Sequence, residues 1–250
     1  MEKRVILLAA VGMMACGGLR AQSDEFGIWT ELSVEKKFSK TLSAAVSVEN
    51  RTRNNLQNVD RWSGAVSVDY KIAKWLKAGV GYSYLYDYNP EQYTFRVKNG
   101  ETQLNKRTMT YFGSRHRFSV SLTASHDFAF VTASLRERWQ YTYRPSVADK
   151  RMDYQHEDLG YSYPVKGKGK NVWRNRLQLK YKTKNMLRPY VSVESYVARG
   201  LDKMRYSAGT EIKLSKQHSL DAAYLFQKTY DDDWNEGNRH IIALGYTYKF

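Results

Sequence analysis

Arginines recur two residues apart along this chain: Arg51 and Arg53, Arg115 and Arg117, Arg136 and Arg138, Arg174 and Arg176, with Arg61 and Arg188 standing singly. In an extended strand, a spacing of two puts both guanidiniums on one face. Glu49, Asp69, Glu194, Glu211 and Asp221 fall on the same faces. If those faces line the inside of a barrel, two chemistries follow. The charges could interlock as ion pairs that fill a narrow lumen, because buried charges must be compensated. Alternatively, the surplus of arginine could draw small anions, since basic side chains lining a channel favour them.

Other constellations are weaker. Ser114 and His116 share a strand face and could supply a nucleophile and its base for lipid hydrolysis on an outer wall. Of the remaining histidines, His126 and His218 fall at tight turns, and His156 lies in a loop beside Glu157 and Asp158. Asp231 to Asp233 and Glu236 bring four carboxylates together but lack calcium-loop spacing. Lys166, Lys168 and Lys170 alternate with glycine in a long connection; without phosphate-loop spacing they read as a basic external loop. No catalytic residue, metal or cofactor is assigned.

Strands must position the arginines, and period-2 alternation runs through most of the chain. In the second strand Leu42, Ala44, Val46 and Val48 oppose Ser43, Ser47, Glu49 and Arg51. In the fourth, Val80, Tyr82, Tyr84, Tyr86 and Tyr88 gather on one side, as an aromatic girdle would. The last stretch puts Ile242, Leu244, Tyr246, Tyr248 and Phe250 on one face, with Ala243, Gly245, Thr247 and Lys249 behind. Apolar residues outside and polar ones inside suit lipid around a wet lumen. A soluble lipocalin-like barrel would reverse this.

The connections alternate in length. Short turns at Ser39-Lys40, Ala73-Lys74 and Ser215 to Gln217 interleave with long loops after Asn89 and Arg144. The first long loop contains Asn99-Gly100, a strong hairpin signal. The expectation is an all-β, up-and-down antiparallel transmembrane barrel of about ten to twelve strands, with short turns in the periplasm and long loops outside. Eleven strands can be counted. Single-chain bacterial barrels normally have an even number, so either the first strand lies outside the wall or one hides in a long loop.

Residues 1–21 read as a signal peptide: Lys3 and Arg4, an apolar run, then Ala21 before Gln22. Residues 22–250 then form a single barrel domain. Cys16, the only cysteine, falls within the signal; a lipoprotein cleavage at Cys16 is the minor alternative. The leader holds three basic residues and one acidic one, so the mature chain keeps +13 of the +15 net charge. In a secreted chain this charge points away from nucleic acid and toward anionic lipid and lipopolysaccharide.

Phe26-Gly27-Ile28-Trp29, Glu49-Asn50-Arg51, Gly79-Val80-Gly81-Tyr82 and the terminal aromatic together resemble the family called domain of unknown function 2490, outer-membrane barrels of the Bacteroidota. The resemblance implies location and fold, and no activity. Tyr246, Tyr248 and Phe250 resemble the C-terminal signal read by the barrel-assembly machinery. The expectation is therefore an outer-membrane barrel of Gram-negative cells, structural or a small porin-like, anion-favouring pore. A lipid- or lipopolysaccharide-modifying enzyme, or a barrel binding partners through its long loops, is the alternative.

Overall fold

A computed structural model describes residues 24–98, 100–154, 162–183, 185–230 and 238–250. The signal segment 1–21 with Cys16, the carboxylates at 231–233 and 236, and His156 with its acidic neighbours lie outside the described residues, as does Asn99.

The wall is built from β1 (Glu25–Lys37), β2 (Leu42–Arg53), β3 (Asn58–Lys71), β4 (Leu76–Asn89), β7 (Tyr111–Asp127) and β8 (Val131–Arg144), followed by β11 (Lys168–Tyr181), β12 (Leu187–Val197), β13 (Leu201–Lys213), β14 (His218–Thr229) and β15 (Arg239–Lys249). These close into a barrel in the order β1-β15-β14-β13-β12-β11-β8-β7-β4-β3-β2. The strands hidden in the two long loops are β5 (Gln92–Lys98), β6 (Glu101–Thr108), β9 (Val147–Asp153) and β10 (Ser162–Val165). They form a separate four-stranded sheet. Neither route to an even count holds: β1 lies in the wall, and the hidden strands lie outside it.

Closure follows from the odd number. In an up-and-down wall of eleven strands the first and last run the same way, so their seam must be parallel. β1 pairs with β15 in parallel, Ile28 opposite Ile242 and Val34 opposite Tyr248, while every other neighbouring pair is antiparallel. Parallel ladders bond slightly less strongly per residue, so the seam benefits from side-chain support.

Alternation decides what each face meets. Leu32, Val46, Val66, Val80 and Val191 lie on the outside and are each half exposed or more, while Leu85, Ile241 and Gln227 point inward and are fully buried. Apolar outside and polar inside is the outer-membrane type of barrel, and the reverse of a soluble one.

The two rims differ. At one, Ser39 and Ser215 cap tight turns, each hydroxyl accepting backbone N–H groups at 2.9–3.1 Å. At the other, β5 and β6 form a hairpin with Gly100 at φ +84°, a left-handed conformation suited to glycine. The Lys166–Lys170 stretch departs from the expected loop, because β11 already begins at Lys168. A Cβ at Gly169 would meet the Tyr141 ring at 2.9 Å, so glycine here lets an outward aromatic lean over the strand.

Candidate functional site

Within the lumen the inward side chains form layers, starting at the loop rim. Arg53 contacts Glu25 at 3.1 Å and Asp60 at 3.6 Å, and Arg239 contacts Asp60 at 2.8 Å and Glu25 at 3.4 Å. Two cations and two anions from β1, β2, β3 and β15 thus balance and straddle the parallel seam.

The next layers are not balanced. Asp87 is shared by Arg61, whose Nη2 donates at 2.9 Å, and Arg115, at 3.1 Å. Glu49 takes Arg51 at 2.8 and 2.9 Å and also accepts from Ser63. Glu194 accepts from Arg136 at 2.7 Å, from Arg174 at 3.0 Å and from the Tyr196 hydroxyl at 2.9 Å. Asp202 takes Lys170 at 2.8 Å. Among the described residues Arg117 donates only to the Thr142 hydroxyl, at 3.1 Å. Buried Arg205 donates to Gln227 at 2.9 Å and to the Tyr196 hydroxyl, both neutral. Trp29 lies between two guanidiniums, Arg51 at 3.8 Å and Arg205 at 4.8 Å from its ring.

The arginine pairs of the sequence meet directly. Arg174 stands opposite Arg138 and Arg176 opposite Arg136 across the β8–β11 ladder. Like charges in this position repel. Glu194 contacts two of the four. Arg138 and Arg176 make no hydrogen bond or ion pair among the described residues, and each buries its Nε without an acceptor. Between the layers lies a cavity of about 90 Å³, lined by Arg51, Arg61, Arg115, Arg117, Arg174, Arg205, Lys170 and Lys203, with Asp202 the one carboxylate among the described residues that line it.

Toward the turn rim the lumen is more open and mixed in charge. Lys180 bonds Glu211 at 2.8 Å, Tyr190 donates to Asp221 at 2.8 Å, and Lys77 contacts Asp69 at 3.2 Å. Arg188 sits opposite Glu211 in register. A larger cavity of about 290 Å³ there is lined by Glu211, Lys213, His218, Lys249 and turn residues, where both signs meet.

The expected lining residues therefore divide. Glu49, Glu194 and the arginines at 51, 53, 61, 115, 117, 136, 138, 174 and 176 gather in the loop-side half, while Asp69 and Glu211 lie apart. Asp87, Tyr196, Asp202, Arg205 and Arg239 were not anticipated. The first is the inward residue between outward Tyr86 and Tyr88, and Arg205 precedes outward Tyr206, so phase alone could have found both. Lys170, read as a loop lysine, instead sits in β11 with its ammonium on Asp202.

On the outer wall, Ser114 and His116 do not form a dyad. His116 Nδ1 pairs with the Tyr82 hydroxyl at 2.8 Å, and no hydrogen bond joins it to Ser114. Glu137 is exposed on that wall between Leu135 and Trp139. At the chain's end, the Phe250 N–H donates to the Glu35 carbonyl at 3.0 Å, and the Lys37 N–H donates to the Phe250 carbonyl at 3.2 Å. Tyr248 stacks on Phe250, their centroids 5.8 Å apart.

The family model described as protein of unknown function, DUF2490, matches residues 26–249. The chain belongs to that family. Among curated proteins, no sequence matches it. Of solved structures, the β-domain of the Bordetella autotransporter Brka aligns with 84% of this chain and 82% of its own, at TM-score 0.49 and 12% identity. For this DUF2490 member the distinctive chemistry is the crowd of guanidiniums in the loop-side half of the lumen.

Proposed function

We propose that this DUF2490 protein is a narrow, anion-favouring pore of the Gram-negative outer membrane. Its turns would face the periplasm and its long loops the outside. The observation that carries this reading is the surplus of positive charge on the lumen wall, where Arg117, Arg138, Arg176 and Arg205 have no carboxylate partner among the described residues. Basic groups lining a low-dielectric passage raise the local concentration of anions and repel cations. The exposed apolar outer wall and the leader-like first 21 residues support membrane residence. Outer-membrane lipid and lipopolysaccharide would surround the wall, small anionic solutes would enter it, and the barrel-assembly machinery would read Tyr246, Tyr248 and Phe250.

The mature chain refolded into a planar bilayer should pass a small current carried mainly by anions. A large porin-like current, or a cation-selective one, contradicts the proposal. A second reading, a structural barrel with a filled lumen, is favoured by the fully buried Leu85, Ile241 and Gln227 and by the balanced seam layer. It predicts no current.

A further inference from the structure

The cavity between the arginine layers combines a strong excess of donors with one idle acceptor. Arg51 is engaged by Glu49, Arg61 by Asp87 and Arg174 by Glu194. Arg117 and Arg205 line the same space with only neutral partners. Trp29, flanked by Arg51 and Arg205, buries its indole N–H without an acceptor. Uncompensated buried charge is costly, and donors without acceptors add to that cost. An anion bound in the cavity compensates the charge of Arg117 and Arg205, which line it; Trp29 lies beside it, behind Arg51 and Arg205. Guanidinium forks match a tetrahedral oxyanion better than a spherical halide, because each presents parallel N–H groups to two oxygens.

Size and one further group narrow the ligand. A volume of about 90 Å³ equals the liquid share of about three waters, enough for one small oxyanion. Asp202 uses Oδ2 for Lys170, and its buried Oδ1 has no hydrogen-bond partner. A carboxylate repels a fully ionised anion but can accept a hydrogen bond from a P–OH group. Phosphate carries such a group near neutral pH; sulfate does not.

We propose that this cavity is a binding site for inorganic phosphate, gripped by Arg117 and Arg205 and selected over sulfate by Asp202. The proposal deepens the anion-favouring reading above and rests on it for the route of entry. Binding itself requires no membrane, so the two can fail separately.

The test uses the mature chain refolded in a non-ionic, phosphate-free detergent. Calorimetry and thermal unfolding are recorded with sodium phosphate, sodium sulfate and sodium chloride at matched ionic strength. Phosphate should bind saturably and raise the unfolding temperature, with sulfate about tenfold weaker or more and chloride without effect. Arg117→Gln and Arg205→Gln should each weaken phosphate by about tenfold or more while unfolding, without phosphate, no lower than the parent. Asp202→Asn should narrow the gap between phosphate and sulfate. Lys216→Gln, a charge change at the turn rim, should bind as the parent does. Equal effects of phosphate and chloride, or unchanged phosphate binding in both arginine variants, would overturn the site. Sulfate binding as tightly as phosphate would overturn the role of Asp202. Binding without anion-selective current would leave the site standing and refute the pore.

Discussion

Glu194 is the carboxylate on which the β8–β11 arginines converge, and replacing it by glutamine removes a charge without removing volume. In the native lumen it accepts from Arg136 at 2.7 Å, Arg174 at 3.0 Å and the Tyr196 hydroxyl. The amide oxygen can still accept, but Arg136 and Arg174 then face Arg176 and Arg138 with nothing to neutralise them. Each lost attraction near 3 Å is worth about 5 kcal/mol at an effective dielectric of about 20. The regained solvation of the absent carboxylate offsets much of that, and breaking a buried pair costs about 3–5 kcal/mol net. Removing a base should have the opposite sign: Arg138→Gln and Arg176→Gln relieve repulsion and should be neutral or stabilising. The assay is urea unfolding of the barrel in lipid vesicles, followed by tryptophan fluorescence, with an unchanged slope in urea taken as evidence of the same folded state. A cost below about 1 kcal/mol for Glu194→Gln, or losses of similar size for Arg138→Gln, would refute the picture of an acid-starved lumen.

Three further outcomes are expected. Glu137→Leu should stabilise the barrel in vesicles by about 1–2 kcal/mol, since a carboxylate on the lipid-facing wall costs somewhat less than a lysine or arginine there; no change in urea midpoint would place Glu137 away from lipid. Leu56 holds φ +71° in the tight loop after β2, so Leu56→Gly should gain about 1 kcal/mol, read from the same titration. In the loop-side sheet, the hydrogen bond from Arg107 holds the Glu91 carboxyl below its ordinary value of 4.5. Its folded-state pKa is depressed, so the contact contributes above the ordinary value and is lost as pH falls through the lowered one. Proteolysis of the β5–β6 hairpin should therefore quicken only in acid, and Glu91→Gln should abolish that pH dependence.

Period-2 alternation was legible because every wall residue has only two environments, and one lysine or valine out of phase would be costly. That is why Arg51, Arg115, Arg136 and Arg174 could be placed inside from spacing alone. The seam was not legible: whether the expected first strand, Phe26 to Phe38, pairs with the last one depends on strand count and register at opposite ends of the chain, and no local pattern encodes either. The four-stranded sheet was hidden for a different reason. Tyr93, Phe95 and Val97 alternate like a wall strand yet sit exposed above the rim, so periodicity marks strands without marking which sheet they join. Glycines misled at Lys166–Lys170, where they serve close packing against Tyr141. The pairing of Arg174 with Arg138 was equally invisible, because it depends on the register between β8 and β11.

The anion preference proposed for the uncompensated lumen arginines can be read from the reversal potential of the refolded barrel in a planar bilayer under a potassium chloride gradient, compared with an Arg117→Gln, Arg138→Gln, Arg176→Gln triple variant. The parent potential should shift toward the chloride equilibrium value, and the variant's should move toward zero. A parent potential on the potassium side, or one that the three substitutions leave unchanged, would contradict it.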